Sequence, residues 1–131
     1  MGVWGSREEK EVLALMHAVV GAAFEVWRAL GRRFTPAVYR AALRVELERR
    51  QVPVAERPLL TVKYLGRVVG EFRPDLLVGD RVVVELESIP ALPRARLEEA
   101  RRVLDATRVP TGVVLNFGAR KLEYRRLQRA A

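Results

Sequence analysis

The stretch FRPDLLVGDRVVVELES, residues 72–88, predicts a hairpin of two β-strands. Its run of three valines at 82–84 is typical of a buried strand, because β-branched side chains fit the pleated surface of a sheet. Gly79 and Asp80 form a two-residue turn signal between two apolar runs. The hairpin carries three carboxylates, those of Asp75, Glu85 and Glu87. We therefore expect the rest of the chain to fold around this hairpin.

The spacing of these carboxylates predicts that they lie together. Glu85 and Glu87 share one face of their strand, because alternate side chains point the same way. Counting back from the turn places Asp75 opposite Val84 or Glu85. Clustered carboxylates suit Mg²⁺ or Mn²⁺, which activate water and neutralise phosphate. The alternative is a solvent-facing Glu-x-Glu motif on an amphipathic strand, and the residues alone leave both interpretations open.

The composition fits one globular domain. At 131 residues, half of them hydrophobic, the chain has the length of a domain with a single core. The absence of cysteine excludes disulfides and cysteine-based metal sites, and it fits a reducing compartment. We see no apolar run of membrane-spanning length and no signal-peptide core at the N-terminus. The expectation is a soluble, cytoplasmic protein without a membrane partner.

The net charge of +8 is carried almost entirely by arginine. Guanidinium groups match phosphate oxygens bidentately, so the expected acidic partner is a nucleic acid, either DNA or RNA. The arginines expected to bind it are Arg94, Arg101, Arg102, Arg120, Arg125 and Arg126. An arginine-rich face that is simply solvated is the alternative explanation of this charge.

Helical periodicity predicts three helices. The first covers residues 6–31 and begins with a capping box. The second begins at Thr35 and Pro36, and the third covers residues 94–107. The second helix is expected to bury a stripe and to point two arginines outward. The stripe consists of Val38, Ala41, Ala42 and Val45, and the arginines are Arg40 and Arg44.

Strand signals occur on both sides of the third helix. Three consecutive strands are predicted at 59–64, 68–78 and 82–88, with a bend or bulge at Gly70 and Pro74 in the middle one. After the helix, a buried strand at 109–117 is expected to pair in parallel with 82–88, and residues 121–125 are expected to form an edge strand. This order predicts a single α+β domain over residues 1–131.

The chain between residues 19 and 117 resembles a known family in several stretches. They are 21–26 with 30–31, 38–39 with 42–43, 62–66, 70 with 75–78, 82–86, and 112–117. Together they are similar to the GxxExxY (GxxExxom) protein family, a branch of the PD-(D/E)xK nuclease superfamily. The resemblance implies a restriction-endonuclease-like fold, in which a central mixed sheet is flanked by helices.

The resemblance also implies a metal site and its ligands. Asp75 and Glu85 correspond to the metal-binding acids, and the backbone carbonyl of Leu86 completes the usual ligand set for Mg or Mn. Glu87 stands where the superfamily has a catalytic lysine. Residues with a possible accessory role are Glu25, Tyr39 and Glu99.

The sequence departs from the family pattern at three places. Glu87 replaces the lysine, although some restriction endonucleases of the superfamily carry Glu there and remain active. The Gly and Glu of the naming motif are Arg33 and Pro36, so only Tyr39 is kept. The third helix has Arg96-Leu-Glu-Glu99 where relatives resemble His-x-x-Gln. These departures favour an inactive or altered site.

Three hypotheses about function follow from these observations. The first is a nucleic-acid-associated protein with a degenerate nuclease fold. The second is a Mg- or Mn-dependent nuclease, a metal-dependent phosphodiesterase, that uses the catalytic set Asp75, Glu85 and Glu87. The third is a non-catalytic partner subunit or a self-associating module. The sequence leaves open whether the protein is an enzyme.

Overall fold

The computed structural model describes residues 6–129, and these residues form three helices and seven strands. The helices are α1 (Arg7–Leu30), α2 (Pro36–Arg49) and α3 (Arg94–Thr107). The strands are β1 (Val54–Glu56), β2 (Leu60–Tyr64), β3 (Arg67–Phe72), β4 (Leu76–Val78), β5 (Val82–Glu87), β6 (Thr111–Asn116) and β7 (Glu123–Gln128).

The main sheet is mixed and has five strands in the order β1-β4-β5-β6-β7. Strands β5 and β6 are parallel, and the other neighbours are antiparallel. Helices α1 and α2 pack on one face and α3 on the other, so two apolar clusters lie on opposite sides of the sheet. This arrangement confirms the predicted α+β fold with a central mixed sheet flanked by helices.

Helix α1 begins and ends as its sequence predicts. The hydroxyl of Ser6 accepts a hydrogen bond from the backbone N–H of Glu9, and the N–H of Ser6 donates to the Glu9 carboxylate. This reciprocal capping box satisfies two N–H groups that the first turn leaves free. The helix ends at Gly31, whose N–H donates to the Trp27 carbonyl at 2.9 Å.

Contrary to the sequence expectation, α1 is long and apolar enough to cross a membrane by length and composition. The core helix of a soluble protein passes the same test, so this is weak evidence for a membrane span. Five residues of α1 are buried in the core cluster: Met16, Val19, Ala22, Ala23 and Val26.

The predicted buried face of α2 is wrong. Val38 and Val45 are 40% and 65% exposed, whereas Tyr39, Leu43 and Leu47 are fully buried. Both stripes have the four-residue spacing of a helix face, so periodicity alone does not choose between them. The core selects the larger side chains, because they remove more apolar surface from water. Helix α2 is therefore turned relative to the prediction.

The predicted strand at 68–78 is two strands that belong to different sheets. It is interrupted between Phe72 and Leu76, where Pro74 has no N–H to donate to a ladder. Strand β3 pairs with β2 in a separate two-stranded ribbon, and a register shift beside Gly70 produces the expected bulge. Strand β4 pairs with β1, a three-residue strand that the sequence did not predict.

The turn between β4 and β5 has the predicted position. The N–H of Arg81 donates to the Val78 carbonyl at 3.1 Å, and both central residues have positive φ, 58° at Gly79 and 60° at Asp80. These dihedral angles match a type I′ turn, which suits the twist of a hairpin. The positive φ favours glycine at position 79, and a side chain there would also displace the Leu15 side chain.

The second half of the sheet confirms the predicted crossover. Helix α3 joins β5 to β6, which lie parallel with Val82 opposite Thr111. Every residue of β6 is buried, as expected for a strand covered on both faces. Strand β7 is an edge strand as predicted, but it begins two residues later and ends three residues later than the predicted 121–125.

Candidate functional site

The hairpin brings Asp75 and Glu85 together. Leu76 pairs with Val84 across the two strands, so Asp75, one residue earlier, lies beside Glu85, one residue later. Val83 packs in the cluster that includes Ala100 of α3, so Glu85 and Glu87 face α3 as well. Asp75 is 9% exposed and Glu85 is 7% exposed. The two carboxylates are thus buried near the end of the sheet.

Both carboxylate oxygens of Asp75 have partners. Oδ1 accepts from Nη1 of Arg40 at 3.0 Å, and Oδ2 accepts from the backbone N–H of Leu86 at 2.9 Å. The hydrogen bond to Asp75 is the main reason why the pKa of Arg40 lies above its usual value. Arg40 was expected to face outward, and this prediction is wrong, because the side chain bends back across the sheet end to reach Asp75.

Arg40 belongs to a chain of ion pairs on the α2 side. Its Nε donates to Glu56 Oε2 at 3.1 Å, and Nη1 of Arg44 donates to Glu56 Oε1 at 2.8 Å. These two arginines, Arg44 first, hold the pKa of Glu56 below its usual value. Strand β1 therefore contributes Glu56 to a network that fixes the guanidinium against Asp75.

Only one of the two carboxyl oxygens of Glu85 has a hydrogen-bond partner among the described residues. Its Oε1 lies 3.4 Å from Nη2 of Arg96, while its Oε2 is buried and has no hydrogen-bond partner within the described residues. Burial, followed by the charge of Asp75, raises the pKa of Glu85 to about 8, although Arg96 opposes the shift. This shift favours the protonated form of Glu85, which avoids a second buried negative charge beside Asp75.

A single guanidinium contacts three glutamates on the α3 side. Nε of Arg96 donates to Glu87 Oε2, Nη2 faces Glu85, and Nη1 lies 3.4 Å from Glu99 Oε1. The Arg96 side chain is only 20% exposed. Burial alone would lower the pKa of Arg96, but the Glu87 hydrogen bond and the neighbouring charges raise it overall. Glu99 is thus connected to Glu85 and Glu87 through the Arg96 guanidinium.

Comparison with models of protein families relates this chain to one nuclease superfamily. The family model described as the PD-(D/E)XK nuclease superfamily matches residues 13–127, most of the chain. The chain belongs to the PD-(D/E)XK nuclease superfamily. Its mixed sheet, its parallel β5–β6 pair and the adjacent Asp75 and Glu85 are consistent with this fold. No curated protein matches the chain.

In this superfamily member, the loop from β5 to α3 is held by Asn116. Its Oδ1 accepts from the N–H groups of Ile89 and Gly118, and its Nδ2 donates to the Ile89 carbonyl and to Glu123. The side chain is fully buried, and all four of these hydrogen bonds are made within the protein. The loop precedes α3, so Asn116 helps to position Arg96.

Sequence reasoning missed Arg40, Arg96 and Asn116 as parts of the nuclease-like site. For Arg96 a signal was present, because it lies four and eight residues before the buried Ala100 and Leu104, on the same helix face. For Arg40, the adjacent buried Tyr39 gave no such signal. The placement of Arg40 follows from the approach of Asp75, which is 35 residues away.

Two of the three residues with a predicted accessory role, Tyr39 and Glu25, make their contacts away from Asp75 and Glu85. The Tyr39 hydroxyl donates to the Gly31 carbonyl and accepts from the Phe34 N–H at 3.3 Å, and its ring stacks on Phe117 at 4.2 Å. Tyr39 therefore fixes the connection between α1 and α2. Glu25 pairs with Arg28 at 3.2 Å on α1.

The six arginines expected to bind nucleic acid have different surroundings. Arg101 and Arg126 line a groove of about 450 Å³ together with Gln128 and Arg129. Arg120 lines a second groove with Lys121. Arg94 pairs with Glu98, Arg125 donates to the Tyr124 carbonyl, and Arg102 is exposed. The structure thus brings two of the six, Arg101 and Arg126, into one groove.

The superfamily usually uses Mg or Mn, and the acids of this chain do not fit such an ion as they are arranged. The oxygen ligands are of the right type. However, Asp75 is bound by Arg40 and Leu86, and Glu85 and Glu87 are bound by Arg96. Within residues 6–129, no group of three His, Asp or Glu side chains is placed to hold a metal ion.

Proposed function

We propose that this protein is a nucleic-acid-associated member of the PD-(D/E)XK nuclease superfamily whose site is inactive or strongly altered. The observation that supports this proposal most directly is the contact of the Arg96 guanidinium with both Glu85 and Glu87. We also propose that the chain belongs to the GxxExxY family within the superfamily, with a degenerate naming motif in which only Tyr39 remains.

The charge arrangement supports an altered site. A lysine beside the metal acids would orient or deprotonate the attacking water, whereas the Glu87 side chain is engaged by the Arg96 guanidinium. Burial raises the pKa of Glu85 to about 8, which disfavours the ionised form that binds a cation. Both changes act against metal-assisted hydrolysis.

Binding to nucleic acid is supported by the net charge of +8 and by the groove that contains Arg101, Arg126 and Arg129. Phosphates of DNA or RNA would contact these guanidinium groups and release counterions. Such binding weakens steeply as salt concentration rises, by a slope of about 0.9 for each phosphate contacted on duplex DNA.

Fluorescence anisotropy with labelled DNA and RNA over a range of salt concentrations tests this proposal. The double variant Arg101→Glu/Arg126→Glu should weaken binding and lower the salt slope by about 2. The matched control is Arg28→Glu, which reverses an exposed arginine on α1 and should bind more like the parent. Binding without salt dependence, or no binding at all, contradicts the proposal.

The alternative is a Mg- or Mn-dependent nuclease that uses Asp75, Glu85 and Glu87. It is supported by the buried, unpartnered Oε2 of Glu85, which a cation could satisfy if Arg96 swung out. A cleavage screen over DNA and RNA with either metal separates the two functions. Cleavage that Asp75→Ala abolishes would favour the nuclease, and cleavage that survives this substitution would indicate a contaminant.

A third function, a partner subunit or self-associating module, is supported by the β2–β3 ribbon. Its tip exposes large apolar side chains, with Tyr64, Leu65 and Val69 exposed by 67%, 84% and 62%. Exposed apolar clusters of this kind mark contact surfaces in many proteins. Light scattering at working concentration tests this function, because a monomer would count against self-association.

A further inference from the structure

Two arginines close the base of the β2–β3 ribbon. Arg57 precedes β2 and Arg73 follows β3, and each of them stands directly before a proline. Nη1 of Arg57 donates to the Arg73 carbonyl at 3.2 Å, and Nη1 of Arg73 donates to the Arg57 carbonyl at 2.8 Å. The backbone N–H of Arg57 also donates to the Asp75 carbonyl at 3.0 Å. These bonds hold both guanidinium groups at the β1 edge of the five-stranded sheet.

Both guanidinium groups keep donors for an anion. A guanidinium has five N–H donors, and each of the two reciprocal hydrogen bonds uses one of them on Nη1. The contacts described within residues 6–129 leave the edge formed by Nε and Nη2 for a ligand, and this edge matches phosphate bidentately. Both side chains are exposed, so a ligand can reach them.

The charges of this pair are not balanced by the acids beside it. The described acceptors of Arg57 and Arg73 are carbonyl oxygens, which are neutral. The adjacent Glu56 and Asp75 are carboxylates, but both accept from the guanidinium of Arg40. Two positive charges therefore remain at the base of the ribbon, where they favour an anionic ligand.

The backbone of Arg57 indicates that its side chain is held in place. Its φ of 52° lies in the left-handed region, which arginine rarely adopts. Such strained residues persist where the surrounding structure holds them, and they cluster at ligand-binding sites. Side chains that are already fixed lose less rotamer freedom when they bind a ligand. The pair is thus arranged in advance for an anion.

We infer that Arg57 and Arg73 form a phosphate-binding site that takes a backbone phosphate of nucleic acid. This inference rests on the proposed nucleic-acid binding and adds a second contact region to it. The groove with Arg101 and Arg126 lies at the β7 edge of the sheet, whereas the new site lies at the β1 edge. Four strand spacings separate these edges by about 19 Å, a distance that about six base pairs of a duplex span.

Inorganic phosphate is the first probe. NMR of the arginine Nε–H groups at mildly acidic pH should show saturable shifts at Arg57 and Arg73 as phosphate is added. Arg7 and Arg28 pair with glutamates on α1, so they are internal controls and should shift little. Equal shifts at all four arginines, or no shift at Arg57 and Arg73, would overturn the inference.

Anisotropy with a labelled duplex identifies the source of the phosphate. The double variant Arg57→Ala/Arg73→Ala should bind about tenfold more weakly, with a salt slope lower by about 1, because one phosphate contact is lost. The matched control Arg7→Ala/Arg28→Ala removes the same number of charges from α1 and should bind like the parent. Unchanged binding by the first variant, with the NMR shifts present, means that the site takes free phosphate and overturns the assignment to nucleic acid.

A conservative variant separates phosphate binding from bracing of the ribbon. Arg57→Lys/Arg73→Lys keeps both charges and loses the bidentate edge, so it should bind more weakly while circular dichroism shows a folded protein. Binding equal to that of the parent contradicts the bidentate site. If the alanine variant unfolds, the lysine variant and the phosphate titration of the parent decide.

Failure of this inference and failure of the proposed function are recognised separately. A parent that shifts with phosphate but binds neither DNA nor RNA contradicts the proposed function and leaves a site for free phosphate. A parent whose salt-dependent binding depends on Arg101 and Arg126 but not on Arg57 and Arg73 supports the proposed function and overturns this inference.

Discussion

Asp75 and Glu85 are neighbours with different surroundings. Asp75 receives a guanidinium on one oxygen and a backbone N–H on the other, both at normal hydrogen-bond distances. Glu85 receives one distant guanidinium contact, and its second oxygen is buried without a partner among residues 6–129. Both residues are buried to a similar degree. The partners, rather than the depth, therefore distinguish the two carboxylates.

This difference shows how a buried pair of acids is kept stable. Two adjacent buried negative charges are strongly unfavourable, so a proton on one of the two groups stabilises the pair. Asp75 has hydrogen-bond donors for both oxygens, whereas Glu85 has fewer. Burial, followed by the charge of Asp75, raises the pKa of Glu85 to about 8. Four substitutions test this difference between Asp75 and Glu85, from the largest expected effect to the smallest.

Glu85→Gln should remove a pH dependence of stability on the order of 5 kcal/mol. The folded protein raises the pKa of Glu85 from its ordinary 4.5 to about 8, so the folded state binds the extra proton between these values. The contribution of Glu85 to stability is therefore complete below pH 4.5 and is lost as the pH rises through 8.

The measurement for this first prediction is urea unfolding at several pH values. The parent should lose stability between pH 4.5 and 8, and Glu85→Gln should show a flatter profile over the same interval. Arg94→Gln, an exposed control on α3, should keep the parental profile. Identical profiles for the parent and Glu85→Gln would remove the distinction between the two acids.

Asp75→Ala should destabilise the protein by about 4 kcal/mol, because the substitution leaves a partly buried Arg40 and the Leu86 N–H without their acceptor. The free energy of unfolding in urea at about pH 6 measures the loss, since Glu85 is protonated there in the parent. A change below about 1 kcal/mol would mean that the Arg40 contact contributes little to stability.

Asn116→Ala should destabilise the protein by about 2 kcal/mol, because it leaves buried N–H groups of the loop before α3 without an acceptor. The same change loosens the loop that positions Arg96 on the Glu85 side of the site. Chemical unfolding gives the stability, and NMR of the Glu85 carboxyl carbon should report an altered pKa. Asn116→Asp keeps the acceptor oxygen but places a second carboxyl oxygen against the Ile89 carbonyl and Glu123, so it should be at least as destabilising.

Tyr39→Phe should cost about 1 kcal/mol, the usual loss for one hydroxyl hydrogen bond. The variant keeps the stacking on Phe117 and removes only the hydrogen bonds to Gly31 and Phe34. Tyr39 precedes Arg40 on α2, so the variant also tests whether the Asp75 side depends on this anchor. An unchanged pH profile of unfolding would show that Tyr39 acts on stability alone.

Local signals are sufficient to predict the central hairpin. The turn residues, the valine run and the alternation of side chains together predict that Asp75 lies beside Glu85, and the strand register agrees. The two ends of α1 are also predicted by local signals, the capping box at Ser6 and Gly31, because caps act within one helical turn. These features depend on residues that are close in sequence.

Features that depend on distant partners are not predictable in the same way. The buried face of α2 is chosen by packing against the sheet, and β1 exists because β4 offers it a free edge. Pro74 indicates a bend, but the sequence does not show that the next residues join another sheet. The inward turn of Arg40 likewise depends on Asp75, which the helix pattern does not contain.

The β2–β3 ribbon lies outside the five-stranded sheet, and this separation affects how the protein opens locally. Its contact with the core includes Leu60, which packs near α3, and most of its other residues are exposed. Two-stranded ribbons have little stability of their own. Its amide hydrogens should therefore exchange with solvent faster than those of β5 and β6, through openings that leave the central sheet intact. The molecule thus combines a slowly exchanging scaffold around the carboxylates with a ribbon that can rearrange on its own.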